Sequence, residues 1–276
     1  MEAVFRELVA AAERGEPVAL VTIVRAHGST PQRVGAKMLV FADGRTVGTI
    51  GGGCYENDAF WKAREALAEG RARLVRYELN DDLAEESGLI CGGQMDVFIE
   101  PVEPTPHLYI LGAGHVGREL GQLAPTVGFQ VHVIDDREKF ANRERFPNAV
   151  EVLATPLVEW VQSATIPPSA YIVVLTRGHR QDFDVLRALA DRPFRYVGLI
   201  GSRAKVARLT DALLDAGVSA DWLRTLHAPI GLDIGAVSPP EIAVAITAEL
   251  IAVRRGRATT GQPVGQSLQW TAPRLR

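Results

Sequence analysis

Three short stretches place together residue types that can do chemistry. In the first, Gly112, Gly114 and Gly117 break an apolar run and open a periodic segment, and Asp135 follows the first glycine by 23 positions. In a strand–turn–helix–strand unit the first glycine permits a tight turn, the second lets backbone approach a pyrophosphate, and the third lets helix pack on strand. Amides left unpaired at the helix start then face the anion, and the acid suits a ribose hydroxyl. The second stretch is Gly51-Gly52-Gly53-Cys54-Tyr55-Glu56, and the third is Cys91-Gly92-Gly93. Consecutive glycines cost conformational entropy on folding, so a triplet implies that something comes close to the backbone. A thiol beside such a turn has a reachable sulfur, fit for a soft transition-metal ligand or for sulfur transfer. Cysteine is also a small hydrophobe at home in a core, so both readings stay open for Cys54 and Cys91.

Stepping outward, the elements that must carry these residues can be read from periodicity. Residues 1–16 pattern as an amphipathic helix, 18–24 as a β-branched strand, 36–41 and 46–50 as two strands around an Asp43-Gly44 turn, and 58–68 as a helix. Residues 71–77 and 95–100 read as further strands, with an acidic loop or short helix at 80–86 and a glycine-and-cysteine turn at 87–93. Prolines 101, 104 and 106 mark a linker. Beyond it, apolar strands at 108–111, 131–134, 149–153, 171–175 and 196–200 alternate with helical patterns. The expected architecture is therefore α/β: a small α+β domain over residues 1–100, a linker at 101–106, a Rossmann-like domain with a mainly parallel sheet over 107–257, and an irregular tail at 258–276. A cleft between the two domains is the expected site.

Other polar residues cluster at expected loop positions. His27, Ser29, Thr30 and Arg33 crowd the first loop, and Lys37 follows; Arg33 and Lys37 suit a phosphate, although Lys37 reads equally as a solvated strand residue. His179 stands after a buried strand, where ligands of open α/β sheets lie, and reads as an acid or base or, with Asp182, as a capping residue. Arg203 and Lys205 follow the next strand as phosphate partners or exposed cations. His227 and Asp233 flank glycines in a loop of the kind that lines clefts, a candidate catalytic pair.

Composition limits the alternatives. The net charge is −3 with a pI of about 6.1, so no basic surface recommends a nucleic acid. The opening residues have neither the shape of a signal peptide nor a long apolar span, so no membrane association and a cytoplasmic location are expected. Two cysteines make no disulfide framework.

The segments GSTPQRVGAKM, GTIGGGCYE, CGGQMDVFIEP, GAGHVGREL, IDDR, TRGHRQD, GLIGSRAK and HAPIGLDIGAVSPPEIAVAI together resemble the XdhC/CoxI family, over nearly the whole chain from about residue 18 to 255. These proteins are maturation factors of molybdenum hydroxylases such as xanthine dehydrogenase and CO dehydrogenase. The resemblance implies an accessory factor rather than a turnover enzyme. It would bind molybdenum cofactor, as molybdopterin or its cytidine dinucleotide form, support its sulfuration with a cysteine desulfurase, and deliver it to an apo molybdenum hydroxylase. It also suggests a homodimer. The family's CGG motif falls on Cys91, Gly92 and Gly93, and its GGG-x-x-E motif on Gly51, Gly52, Gly53 and Glu56. A carrier of a phosphorylated pterin dithiolene needs an anion cradle, a soft ligand and groups that pair with a heterocycle. The expected cofactor-binding set is thus Gly51, Gly52, Gly53, Glu56, Lys37, Gly92, Gly93, Gly112, Gly114, Gly117 and Asp135. Cys91, His179 and Asp233 are the expected reactive residues, with Cys91 also the candidate ligand of molybdenum or its sulfur. The fingerprint alone would suggest the alternative, an NAD(P)-dependent oxidoreductase, yet no hydride-transfer acid such as a Tyr-x-x-x-Lys pair follows it. A scaffold that has lost its ligand is the third reading.

Overall fold

The computed structural model describes residues 1–78 and 93–256. It divides into two compact units, Met1–Thr105 and Pro106–Arg276.

Among its described residues the first unit is an antiparallel sheet between two helices. Helix α1 (Glu2–Glu13) leads into β1 (Val18–His27), β2 (Lys37–Phe41) and β3 (Thr46–Gly48), then α2 (Gly53–Glu69), β4 (Arg73–Glu78) and β5 (Gln94–Val102), with sheet order β3-β2-β1-β5-β4. β1 lies at the centre, which explains its run of consecutive buried residues from Val18 to Val21. Its two faces separate by parity. Val18 and Leu20 join Leu39, Phe41 and the α1 residues Val4 and Ala11, whereas Ala19, Val21 and Ile23 join Met38, Val40 and the α2 stripe Ala59, Ala63 and Ala66. β5 runs on to Val102, because Pro101 and Val102 still pair with Ala19 and Val18; the first linker proline is a strand residue. Between Ile23 and Arg25 the register of β1 shifts. A bulge of this kind bends a strand, and past it β1 pairs with β5 alone while the chain opens into the loop before β2.

The second unit is a parallel sheet covered on both faces. It comprises β6 (His107–Leu111), α3 (His115–Leu123), a 3-10 turn, β7 (Gln130–Asp135), β8 (Glu151–Ala154), α4 (Leu157–Ser163), β9 (Tyr171–Val174), α5 (His179–Leu189), β10 (Tyr196–Leu199), α6 (Arg203–Asp215), α7 (Ala220–Arg224) and α8 (Pro239–Arg254). The order β10-β9-β6-β7-β8, with every pair parallel, reverses direction between β6 and β9. That reversal is the point at which ligands of such sheets bind. Leu108 and Ile110 face α3 and α8, while Tyr109 and Leu111 face α4 to α7, so the strands are apolar on both sides. The short α7 has no counterpart among the expected elements. α8 starts at its two prolines, with Glu241 accepting the N–H groups of Val237 and Ser238.

At the start of β6, His107 and His132 share one hydrogen bond, Nδ1 to Nε2 at 2.9 Å, and His132 stacks on Tyr109 with ring centroids 4.5 Å apart. Sharing one proton between two ring nitrogens requires at least one neutral imidazole. Burial, then the charge of its neighbour, lowers the pKa of His107; burial lowers that of His132 against an opposing pull from Glu151. With both folded values below 6.5, the unfolded chain binds more protons in that window, so the stability contributed is complete above pH 6.5 and is lost as pH falls through the folded values. The urea midpoint should fall between pH 7 and pH 5, and fall less in His107→Phe. Equal midpoints at the two pH values in the native chain would contradict this account.

Candidate functional site

In the first unit the glycine triplet connects β3 to α2 with positive φ at all three positions, 129° at Gly51, 76° at Gly52 and 77° at Gly53. This conformation points successive amides to one side. The group they meet belongs to the chain itself. Oε2 of Glu56 accepts the N–H groups of Ile50 (2.8 Å), Gly51 (3.1 Å) and Gly52 (2.9 Å) and the hydroxyl of Thr49 (2.5 Å). Burial alone would raise the pKa of Glu56, but these donors outweigh it and hold the carboxyl below the usual range. The Ile50, Gly51 and Gly52 amides thus already have an internal acceptor, while the start of α2 at Gly53 has no side-chain cap.

The same turn packs on the loop after β1. A side chain on Gly51 would sit 2.8 Å from Pro31, and one on Gly93 would sit 2.3 Å from the backbone oxygen of Ser29 and 2.7 Å from that of His27. No Cβ fits at those separations, so both motifs need glycine in order to reach this loop. At Gly52 the corresponding space is open, with nothing within 4 Å. Cys54 lies exposed in the first turn of α2, and Ser29 and Arg33 are exposed on the loop. Cys91 and Gly92 lie outside the described residues. Lys37 is not brought to the turn: its Nζ donates to Thr22 Oγ1 at 3.1 Å and lies 6.0 Å from the Phe5 ring, which puts it on the α1 side of the sheet, opposite Ile50 and α2. Strand parity decides this, since Lys37 shares a face with Leu39 and Phe41.

In the second unit, the turn after β6 assigns each glycine a separate cause. A Cβ on Gly112 would lie 2.3 Å from the backbone oxygen of Leu175, and one on Gly117 would lie 2.1 Å from that of Gly112, while Gly114 faces open space. Asp135 sits at the end of β7, almost fully buried. It accepts four bonds: Ala113 N–H (2.8 Å) on Oδ2, Arg137 N–H (3.0 Å) and Nε (2.8 Å) on Oδ1, and Arg137 Nη2 (2.8 Å) on Oδ2. Burial pushes its pKa up, and the Arg137 and amide bonds more than reverse this. The neighbouring Asp136 receives Arg177 Nη2 at 2.9 Å and Gln181 Nε2 at 3.3 Å.

His179 is exposed at the first position of α5. Asp233 is exposed as well, 3.8 Å from Arg203, and does not meet His227. The carboxylate that His227 meets is Glu249, at 3.2 Å from Nδ1; Glu249 also accepts the Tyr196 hydroxyl at 2.5 Å and the Gly231 N–H at 2.8 Å. Burial works to raise the pKa of Glu249, and the His227, Tyr196 and Gly231 bonds bring it below the ordinary value. The signal available in sequence was a lone acid inside the apolar stretch of α8. Asp182, read in sequence as a capping residue, is a buried structural one whose partner the sequence did not indicate: it accepts the Thr176 hydroxyl at 2.6 Å and lies 2.6 Å from Lys205 Nζ. Asp182 thus lies inside the fold, tied to Thr176 and Lys205. Among the described residues no cluster of three or more His, Cys, Asp or Glu is arranged to hold a metal ion.

A parallel sheet of this order, with a glycine turn beside its reversal point, defines the second unit as a Rossmann-type domain, preceded by an antiparallel α+β unit. The profile described as the XdhC Rossmann domain matches residues 108–250, and the one described as the XdhC and CoxI family matches residues 11–78. The chain belongs to the XdhC/CoxI family. It is 37% identical to the uncharacterized protein YqeB of Escherichia coli K12 over 252 residues, which cover 91% of this chain and 46% of that protein, so the chain spans less than half the length of this relative. It is 25% identical to the molybdenum cofactor insertion chaperone PaoD of the same organism over 303 residues, 91% of this chain and 88% of that protein. A crystal structure named as a xanthine dehydrogenase from Bacillus halodurans matches with a TM-score of 0.51 and 26% identity, covering 95% of this chain and 98% of that one.

The internal carboxylate gives this site a direct test. Glu56→Ala removes the acceptor of three turn amides, each of which then needs water or stays unpaired. The expected loss is about 1–3 kcal/mol of stability, read from urea unfolding. An unfolding curve that superimposes on that of the native chain would remove Glu56 from this role.

Proposed function

We propose that this chain is a molybdenum cofactor-binding chaperone that supports sulfuration of the cofactor by a cysteine desulfurase and its insertion into an apo molybdenum hydroxylase such as xanthine dehydrogenase or CO dehydrogenase. The observation that carries the reading is the convergence of two family motifs on one loop: Gly51 packs on Pro31, and Gly93, the last residue of Cys91-Gly92-Gly93, packs on Ser29. Kinship with a protein named as a molybdenum cofactor insertion chaperone supports the same reading along nearly all of the chain.

The residues present fit such a ligand. The backbone at Gly52 is open to solvent on the side where a Cβ would project, which leaves room for a planar heterocycle to approach. Ser29 and Arg33 offer polar and cationic groups, and Cys54 offers a thiol at the start of α2. In this reading Cys91 supplies the soft sulfur that faces molybdenum or carries the incoming sulfur. The cofactor, when bound, supplies the metal chemistry. The chain's own part is to hold it and to shape the turn, with Glu56 keeping the Gly51–Gly52 amides in place. We place the protein in the cytoplasm as a homodimer; no helix among the described residues is long and apolar enough to cross a membrane.

The test is stoichiometric. The purified full chain is incubated with released molybdenum cofactor and desalted, and molybdenum and pterin are counted per chain for the native protein, Cys91→Ala and Cys54→Ser. Near-equimolar pterin in the native chain, lost in Cys91→Ala and kept in Cys54→Ser, is the expected result. A native chain that retains no pterin after desalting overturns the proposal.

A further inference from the structure

The glycine turn of the second unit contains one glycine that packing does not explain. Gly112 and Gly117 are required by backbone oxygens 2.3 and 2.1 Å from where a Cβ would stand. Gly114 has φ −65° and ψ −159°, which other residues adopt, and nothing lies within 4 Å of its missing side chain. The space in front of Gly114 opens to solvent at the start of α3, beside the point where the strand order reverses, which is where ligands of such sheets bind. The site is thus a nucleotide crevice by its geometry, and the groups at the end of β7 decide which nucleotide.

An ionised carboxylate offers about four lone-pair positions, and Asp135 has four donors on its two oxygens. It has no acceptor left for the 2′-hydroxyl of a ribose, the interaction by which an acid at this position selects NAD. Arg137 takes its place at the rim. Its guanidinium lies 3.9 Å from the centre of the Phe140 ring and is about a quarter exposed. Nε and Nη2 are engaged by Asp135, and Nη1 has no hydrogen-bond partner among the described residues. A second guanidinium stands beside it: Arg145 Nη2 donates to the Ala113 carbonyl of the same turn at 3.2 Å and lies 5.2 Å from the Phe140 ring. Arg145 has no carboxylate partner among the described residues, and its Nε is buried without an acceptor.

We propose that this crevice binds an adenine dinucleotide phosphorylated on the 2′-position of its ribose, of the NADP type, and that Arg137, supported by Arg145, selects it over the unphosphorylated form. A guanidinium with free donors pairs with a phosphate monoester through charge-assisted bonds, whereas a ribose hydroxyl gives it little. Stacking on Phe140 fixes the plane of Arg137 in advance, so little rotamer entropy is lost on binding. This site is independent of the loop and glycine triplet of the first unit.

The full chain is titrated with NADPH and with NADH by calorimetry at one fixed ionic strength. NADPH should bind at least about tenfold more tightly, the ratio expected from one charge-assisted hydrogen bond. Arg137→Ala should remove that preference by weakening NADPH, and NADH affinity should stay equal or rise because Asp135 loses two of its four donors, while Gly114→Ala should weaken both ligands at an unchanged melting temperature. Should Arg137→Ala fail to fold, adenosine 2′,5′-bisphosphate against AMP on the native chain gives the same comparison. NADH binding as tightly as NADPH, or no binding of either, overturns the proposal.

Discussion

At several turns of this protein a single carboxylate gathers N–H groups that no helix or strand can use. Glu56 takes three at the glycine triplet, Asp135 takes those of Ala113 and Arg137, Glu241 takes two before α8, and Glu249 takes that of Gly231. A buried amide without an acceptor costs about 1–3 kcal/mol, so a turn with several of them holds its shape only if something answers them. Water would do so with less geometric demand. A carboxylate fixed on a neighbouring helix or strand end does so in one arrangement, which gives each turn a defined shape before any ligand arrives.

The two glycine turns use this device to different ends. In the first unit Glu56 takes the Ile50, Gly51 and Gly52 amides, while the first turn of α2, from Gly53, has no side-chain cap, beside the open backbone surface at Gly52. In the second unit Asp135 takes, of the amides in the glycine turn, only that of Ala113, and the helix start at Gly114 stays clear. Neither helix start, at Gly53 or at His115, carries a side-chain cap; the turns differ in that Glu56 takes the three amides before α2 whereas Asp135 takes one before α3.

Much of this was legible in the sequence because it is local. The spacing of Gly112, Gly114 and Gly117 between two apolar runs pointed to a strand–turn–helix–strand unit, and the β-branched run from Val18 marked a strand, which proves to be the central one of the first sheet. The partners of the charged residues were not legible, because they depend on faces and on chain returns. Lys37 follows the polar loop in sequence, but its strand parity sends it to the α1 side. His227 stands six positions from Asp233, yet pairs with Glu249 because the stretch around His227 runs beside β10, where Tyr196 and α8 meet it. The saturation of Asp135 needed the backward fold of Arg137, two residues on, which periodicity does not encode.

The buried pair of Asp182 and Lys205 shows how the carboxyl edge of the parallel sheet is kept in order. Burying two charges costs several kcal/mol, and their attraction offsets this only where further bonds complete the geometry. Here Thr176 donates to the free side of Asp182, and Lys205 Nζ also donates to the Ile200 carbonyl. The pair therefore ties the loop after β9 to the loop after β10, the two segments that flank the crevice on the side away from β7. An apolar pair of equal volume would pack as well but could slide, since dispersion has no preferred direction. Ionic and hydrogen-bonded geometry does have one. With this wall fixed, the exposed first turn of α5, which carries His179, is held at a constant place on the rim.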